Sequence, residues 1–137
     1  AAIWANVGDS RLYHICDDEI VGITKDHSVA YKKYVAGEIS RDDMATDPDQ
    51  SRLLRTLGSE DCPEFDVYST DLSESETHAF FLCSDGFWEN VNDDEILIDY
   101  LKADSAKAWC DNLLLKVKKR MPDNNDNLSC ICVIYQK

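Results

Sequence analysis

An α+β fold with about six strands is the architecture that this sequence predicts. Short apolar runs rich in β-branched and aromatic residues recur in the first half and again at the end. Between them, one stretch repeats apolar residues at the three- and four-residue spacing of an amphipathic helix. Ser and Asn stand at helix-start positions, and Gly, Asp and Asn separate the strand-like runs.

Residues 1–7 and 11–16 are β-like runs separated by Gly8-Asp9-Ser10, which reads as a tight hairpin. Residues 20–24 follow the acidic turn Asp17-Asp18-Glu19 and extend the pair into a meander. The chain then turns polar. Ser28 caps a helix expected to run to about Ala36 and to stop at Gly37, and Ser40 caps a shorter one through Met44. Pro48 marks irregular backbone, and residues 26–60 together read as a flap-like surface insertion. Residues 65–70 and 78–83 read as a second pair of strands. Asn92, with Glu95 three residues on, forms a capping-box start for a helix ending near Leu101. Ser105 opens another helix, in which Ala106, Trp109, Leu113 and Val117 share one face. Lys116, Lys118, Lys119 and Arg120 at its end complement the helix dipole. Residues 128–135 form a closing apolar strand. Ala1-Ala2-Ile3-Trp4 has no cap and no polar lead, so the chain is expected to begin inside a strand.

With 137 residues the chain makes one domain at most. Its net charge of −13, from 27 acidic against 14 basic residues, repels phosphate backbones and argues against a nucleic-acid partner. Clusters such as Asp17-Asp18-Glu19 and Asp93-Asp94-Glu95 read as solvated turn and helix-start charges. Six cysteines include no Cys-x-x-Cys pair, and Cys83, Cys130 and Cys132 lie within apolar runs, where a free thiol packs as a small hydrophobe. Cys130 and Cys132 share one strand face, most simply a core face. Reduced thiols imply a cytoplasmic protein, and no apolar run approaches the ~20 residues of a membrane helix.

Asp9, Asp85 and Asp126 each occupy a small-residue turn directly beside an apolar strand run. A strand end holds a carboxylate rigidly while the turn leaves it open, so three such groups can converge at one sheet edge and bind hard divalent cations through oxygen. Each also has a plainer reading. Asp9 alone is an ordinary hairpin residue, and Asp126 an ordinary turn residue. The alternating Asp123, Asn125 and Asn127 do not make an EF-hand, which needs Gly and Glu where the chain has Leu128 and Ile134. His27 reads as a hydrogen-bonded loop residue, His14 and His78 as structural, Trp88 as a core or rim aromatic, and Arg11 and Arg55 as members of ion pairs.

Five motifs occur in order: Ala5-Asn6-Val7-Gly8-Asp9-Ser10-Arg11, Thr24-Lys25-Asp26-His27-Ser28, Leu54-Arg55-Thr56-Leu57-Gly58, Leu82-Cys83-Ser84-Asp85-Gly86 and Asp126-Asn127-Leu128-Ser129. Together they resemble the metal-dependent serine/threonine phosphatases, the protein phosphatase 2C family, and most closely its bacterial branch. Gly37-Glu38-Ile39-Ser40-Arg41-Asp42-Asp43-Met44 and Asp47-Pro48 resemble that branch's flap segment. The resemblance implies part of a four-layer α-β-β-α sandwich of two antiparallel sheets covered by helices. It implies Mn2+ or Mg2+ as cofactor, phosphoproteins as substrates, and hydrolysis of phosphoserine and phosphothreonine by metal-activated water. By the same resemblance Asp85 and Asp126 are ligands of the core metals, Asp9 with Asp85 holds a third ion, and Asn127 orients the last ligand. No catalytic residue separate from the metal ligands is implied.

The family's N-terminal half carries a phosphate-binding Arg and an Asp-Gly whose Asp bridges both core metals. Here the one Asp-Gly is Asp85-Gly86, which belongs to the later motif. Residues 1–137 are therefore expected to be a single C-terminal portion of a phosphatase domain without its N-terminal part. Alone, the chain is expected to show little turnover, to bind manganese weakly, and to self-associate or pair with the missing half. Asp47 stands where bacterial relatives often have His, and Leu54 where they often have Thr. The alternative reading is a catalytically silent binding or regulatory module that keeps the fold.

Overall fold

The strands fall into two antiparallel sheets, and the turn after the first strand crosses from one to the other. In a computed structural model that describes residues 1–60, 64–121 and 127–136, β1 (Ala2–Asn6) pairs with β4 (Asp66–Thr70), from Ala2 opposite Thr70 to Asn6 opposite Asp66. The other strands, β2 (Arg11–Cys16), β3 (Glu19–Ile23), β5 (His78–Cys83) and β6 (Cys130–Tyr135), form a four-stranded sheet in the order β3-β2-β5-β6. The β2–β3 hairpin expected from the sequence is present. The hairpin expected across Gly8-Asp9-Ser10 is not, and neither is the pairing of residues 65–70 with 78–83, because β1 and β4 belong together in the smaller sheet.

Trp4 supplies the physical reason. It stacks on Tyr68 of its own sheet, with ring centroids 5.8 Å apart, and meets His14 and Phe80 of the other sheet edge-on at 5.6 and 5.7 Å. β1 therefore lies on the face of the larger sheet rather than along its edge, with Ile3 turned outward at 74% exposure. Burying an aromatic ring between two sheets removes more apolar surface from water than an edge position allows.

The larger sheet is covered on its other face by helices. α3 (Asp93–Lys102) starts at the Asn92–Glu95 capping box, and α4 (Ala106–Arg120) starts at Ser105, whose side chain accepts from the Ala108 amide. Trp109, Leu113 and Val117 of α4 and Ile96 of α3 are fully buried against Tyr13, Ile15, Ala79 and Phe81. The Trp109 indole donates to the Ile96 carbonyl at 3.1 Å and fastens the two helices together. Cys130, Cys132 and Ile134 of β6 face this core, whereas Ile131 and Val133 point away, so the expected core face of that strand is the observed one.

Residues 26–60 leave the sheets and return. Ser28 caps α1 (Val29–Val35), and Gly37 sits just beyond it at φ +77°, a backbone state that glycine adopts without strain. The second helical piece is a 3-10 turn, Asp42–Ala45, starting two residues later than Ser40. The Ser40 hydroxyl still accepts from the Asp43 amide, but too few residues follow to complete an α-helical turn. Met44 is buried, and Arg41 pairs with Asp93 at the start of α3.

Glu95 links caps and helices. Arg120 grips it with two hydrogen bonds of 2.8 and 2.6 Å, and these bonds first of all lower its carboxyl from the ordinary 4.5 to about 2. A depressed folded-state pKa stabilises above the unfolded value, and the gain vanishes as pH falls from about 4.5 to about 2. Glu95→Gln keeps the bond from the Asn92 amide but loses the charge. It is expected to cost about 0.5–1 kcal/mol at pH 7, the pair being partly exposed, and nothing near pH 2. Urea unfolding at the two pH values checks this; an equal cost at both would mean that the charge is irrelevant.

Candidate metal centre

Asp9 occupies the turn that crosses between the sheets, and that turn is clamped from two sides. Gly8, at φ +97°, donates its amide to His27 Nδ1 at 3.1 Å and accepts from the His27 amide at 2.8 Å. With Nδ1 accepting, His27 carries its proton on Nε2 and donates it to Asp66 at 3.0 Å. The Trp88 indole donates to the Asp9 carbonyl at 2.9 Å. His27 and Trp88 thus hold the loop, as a bonded loop residue and a buried rim aromatic, and Arg55 forms the expected ion pairs, with Glu64 and Asp66.

Asp85 comes from the end of β5, which runs through Ser84 into the short helix α2 (Asp85–Trp88). The same serine ties in the residues before β6. Its amide donates to Ser129 at 3.0 Å, its hydroxyl accepts from the Ser129 amide at 3.2 Å, and it donates to the Asn127 carbonyl at 3.3 Å. Gly86 makes the approach possible, since a Cβ there would stand 2.9 Å from the Asn127 carbonyl oxygen. Asn127 is therefore held beside the Asp85 turn, while Asp126 lies outside the described residues.

Asp9 stands two residues before β2 and Asp85 two residues after β5, and because Arg11 and Cys83 are register partners the two acids flank the same end of the β2–β5 ladder. The Asp9 carboxyl is pushed up to about 6, first by burial and then by the charges of Asp85 and Asp26. Asp26 is already matched. Arg11 donates to it from Nε and Nη2 at 2.9 and 2.7 Å, and both side chains are buried. The guanidinium lies 3.8 Å over the Trp88 ring. Arg11 is thus the ion-pair member expected, and Asp26 a site neighbour whose role the motif Thr24-Lys25-Asp26-His27-Ser28 did not disclose. What Asp9 and Asp85 offer together is carboxylate oxygen in a half-buried setting that disfavours two bare charges. That donor set fits a hard divalent ion such as manganese or magnesium.

No family profile matches the chain. The serine/threonine phosphatase stp of Listeria welshimeri is 37% identical over 129 residues, covering 94% of this chain and 50% of that protein. The PPM Ser-Thr phosphatase MsPP from Mycobacterium smegmatis, solved with cacodylate, superposes on 98% of this chain and 56% of its own, with a TM-score of 0.78 and 26% identity. The catalytic domain of the serine/threonine phosphatase PstP, solved with 2 manganese ions, gives a TM-score of 0.71 at 26% identity over 96% of this chain and 52% of its own. The chain spans between 36% and 50% of the first curated relatives it matches. Sequence, sheet topology and these likenesses agree: the chain belongs to the metal-dependent serine/threonine protein phosphatases, the protein phosphatase 2C family.

Proposed function

We propose that the protein carrying this chain hydrolyses phosphoserine and phosphothreonine in phosphoproteins, with Mn2+ or Mg2+ held by Asp85, Asp126 and Asp9. The observation that carries this reading is that Asp9 and Asp85 flank the same end of the β2–β5 ladder, where the charge of Asp85 helps raise the Asp9 carboxyl and a cation would relieve the repulsion. Divalent ions bound there supply an activated water and neutralise the phosphate oxygens. The chain's own residues hold and orient. Trp88 and His27 fix the Asp9 loop, and Ser84 ties Asn127 beside Asp85.

The secondary readings have support of the same kind. Residues 26–60 act as a flap over the site, tethered through Arg41 to α3. The outer face of β1 and β4, where Ile3 and Val67 are exposed, suits pairing with the rest of a longer domain. The five cysteines among the described residues are free thiols, in keeping with a cytoplasmic location, and no helix among those residues is long and apolar enough to cross a membrane. The charge of −13 argues against nucleic-acid partners.

The test is hydrolysis of p-nitrophenyl phosphate and of a phosphothreonine peptide by the full-length protein after chelation. Turnover is expected only when manganese or magnesium is restored, and much less from the 137-residue chain alone. Undiminished turnover in excess chelator would overturn the reading, and binding of the phosphopeptide without turnover at saturating manganese would favour the silent module.

A further inference from the structure

At the opposite end of the β2–β5 ladder, Cys16, Glu76 and His78 converge, with one ligand atom of each lying within 4.8 Å of the others. Cys16 and His78 are register partners across the ladder, and Glu76 precedes β5 by two residues. The intervening backbone is pinned, because Asp17 donates its amide to the Thr77 carbonyl at 2.8 Å and its carboxylate accepts from the Thr77 amide at 3.0 Å. This end lies roughly 17 Å from the other end of β5, which leads into the Asp85 turn, at about 3.4 Å per residue, so the cluster is separate from the candidate active site.

His78 points to a ligand. The residue is 2% exposed, and Nε2 is buried without a hydrogen-bond partner among the described residues. Glu76 is the nearest acid, at 3.9 Å, beyond hydrogen-bond reach. A buried ring nitrogen is costly to leave unmatched. The other nitrogen, Nδ1, lies 3.1 Å from Nε2 of His14, which is itself buried and stacked on Phe80. With Nδ1 donating to His14, the ring is fixed in the tautomer that leaves the lone pair of Nε2 toward Cys16 and Glu76.

We propose that Cys16, Glu76 and His78 form a site for a borderline divalent metal, zinc in the first instance. One sulfur, one imidazole nitrogen and one carboxylate oxygen are the donors zinc prefers, whereas manganese and magnesium favour oxygen alone. A thiolate and a carboxylate balance the two positive charges of the ion, with His78 neutral. Metal bonds of about 2.0–2.3 Å at tetrahedral angles call for donors roughly 3.3–3.8 Å apart. The exposed Glu76 and half-exposed Cys16 can close that gap by side-chain rotation, and the same exposure leaves a fourth position for water.

Titration of the reduced chain with cobalt, followed by displacement with zinc, tests the site. One tightly bound cobalt is expected, with the visible bands of four-coordination and a near-ultraviolet sulfur-to-cobalt band. Cys16→Ser should abolish the sulfur band. Glu76→Ala, a substitution at an exposed position that leaves folding intact, should weaken binding about tenfold or more, and His14→Ala about 10- to 100-fold. A Cys110→Ser/Cys130→Ser double variant should keep both affinity and bands, because that thiol pair, with sulfurs 3.4 Å apart, lies between α4 and β6. Unchanged affinity in both Cys16→Ser and Glu76→Ala, or a sulfur band lost only in the double variant, would overturn the proposal.

Discussion

Replacing Asp26 with alanine is expected to lower the unfolding free energy by about 3–5 kcal/mol, the usual cost of stranding one partner of a buried ion pair. Among the described residues, Asp26 is the carboxylate that Arg11 hydrogen-bonds. The Arg11 side chain is 5% exposed, its guanidinium lies on Trp88, and its remaining described bond is to the Tyr13 hydroxyl at 3.3 Å. The penalty comes from the cation left behind more than from the attraction lost. A paired Arg11→Met/Asp26→Leu variant should therefore recover most of the stability, since it removes both charges and keeps apolar volume against Trp88. Urea midpoints of the single and paired variants decide the matter. A single variant within 1 kcal/mol of wild type would mean that water reaches Arg11 after all.

The second large effect is expected at Gly86, on activity rather than stability. A methyl group there would stand 2.9 Å from the Asn127 carbonyl oxygen and 3.0 Å from a Leu128 methyl. The Leu128 methyl can rotate aside, but the carbonyl is backbone, and Ser84 holds it on the other side. Gly86→Ala must push the segment that carries Asn127 into β6 away from the Asp85 turn. A displacement of about 1 Å at a catalytic constellation can cost on the order of 100-fold in rate. The full-length protein carrying Gly86→Ala is expected to lose about that much kcat, with a raised manganese requirement and a circular dichroism spectrum like that of wild type. Wild-type kinetics would mean that the approach of the two segments does not set the site.

Local features were legible in the sequence because local chemistry writes them. Ser28, Asn92 and Ser105 cap helices where polar side chains stand before apolar periodicity, and Trp109, Leu113 and Val117 are buried on the face their spacing marks. Strand partners were not legible in the same way. Three residues such as Gly8-Asp9-Ser10 can close a hairpin or cross between sheets, and the choice is made by Trp4, Tyr68 and Phe80, residues far apart in the chain. The candidate site divides similarly. Asp9 and Asp85 stand out beside strand ends, and the order of motifs ties them to a family. The carboxylate of Asp26 reads as one acid among 27 until Arg11 is found against it, and Gly86 reads as a turn residue until the Asn127 backbone is seen to need its space. The cluster of Cys16, Glu76 and His78 leaves no sequence signature, because two of its members meet only through the pairing of β2 with β5.

That pairing also determines where the chain can change length. Six consecutive rungs, from Arg11 opposite Cys83 to Cys16 opposite His78, join β2 to β5, and both strands are packed on both faces for most of their length. Deleting one residue within either strand would turn its following side chains to the wrong face, exchanging Tyr13 and Ile15 with His14 and misaligning both ends of the ladder together. Length variants of this domain should therefore accumulate at residues 71–75, ahead of the pinned Glu76–Thr77 segment, and be purged from the two central strands.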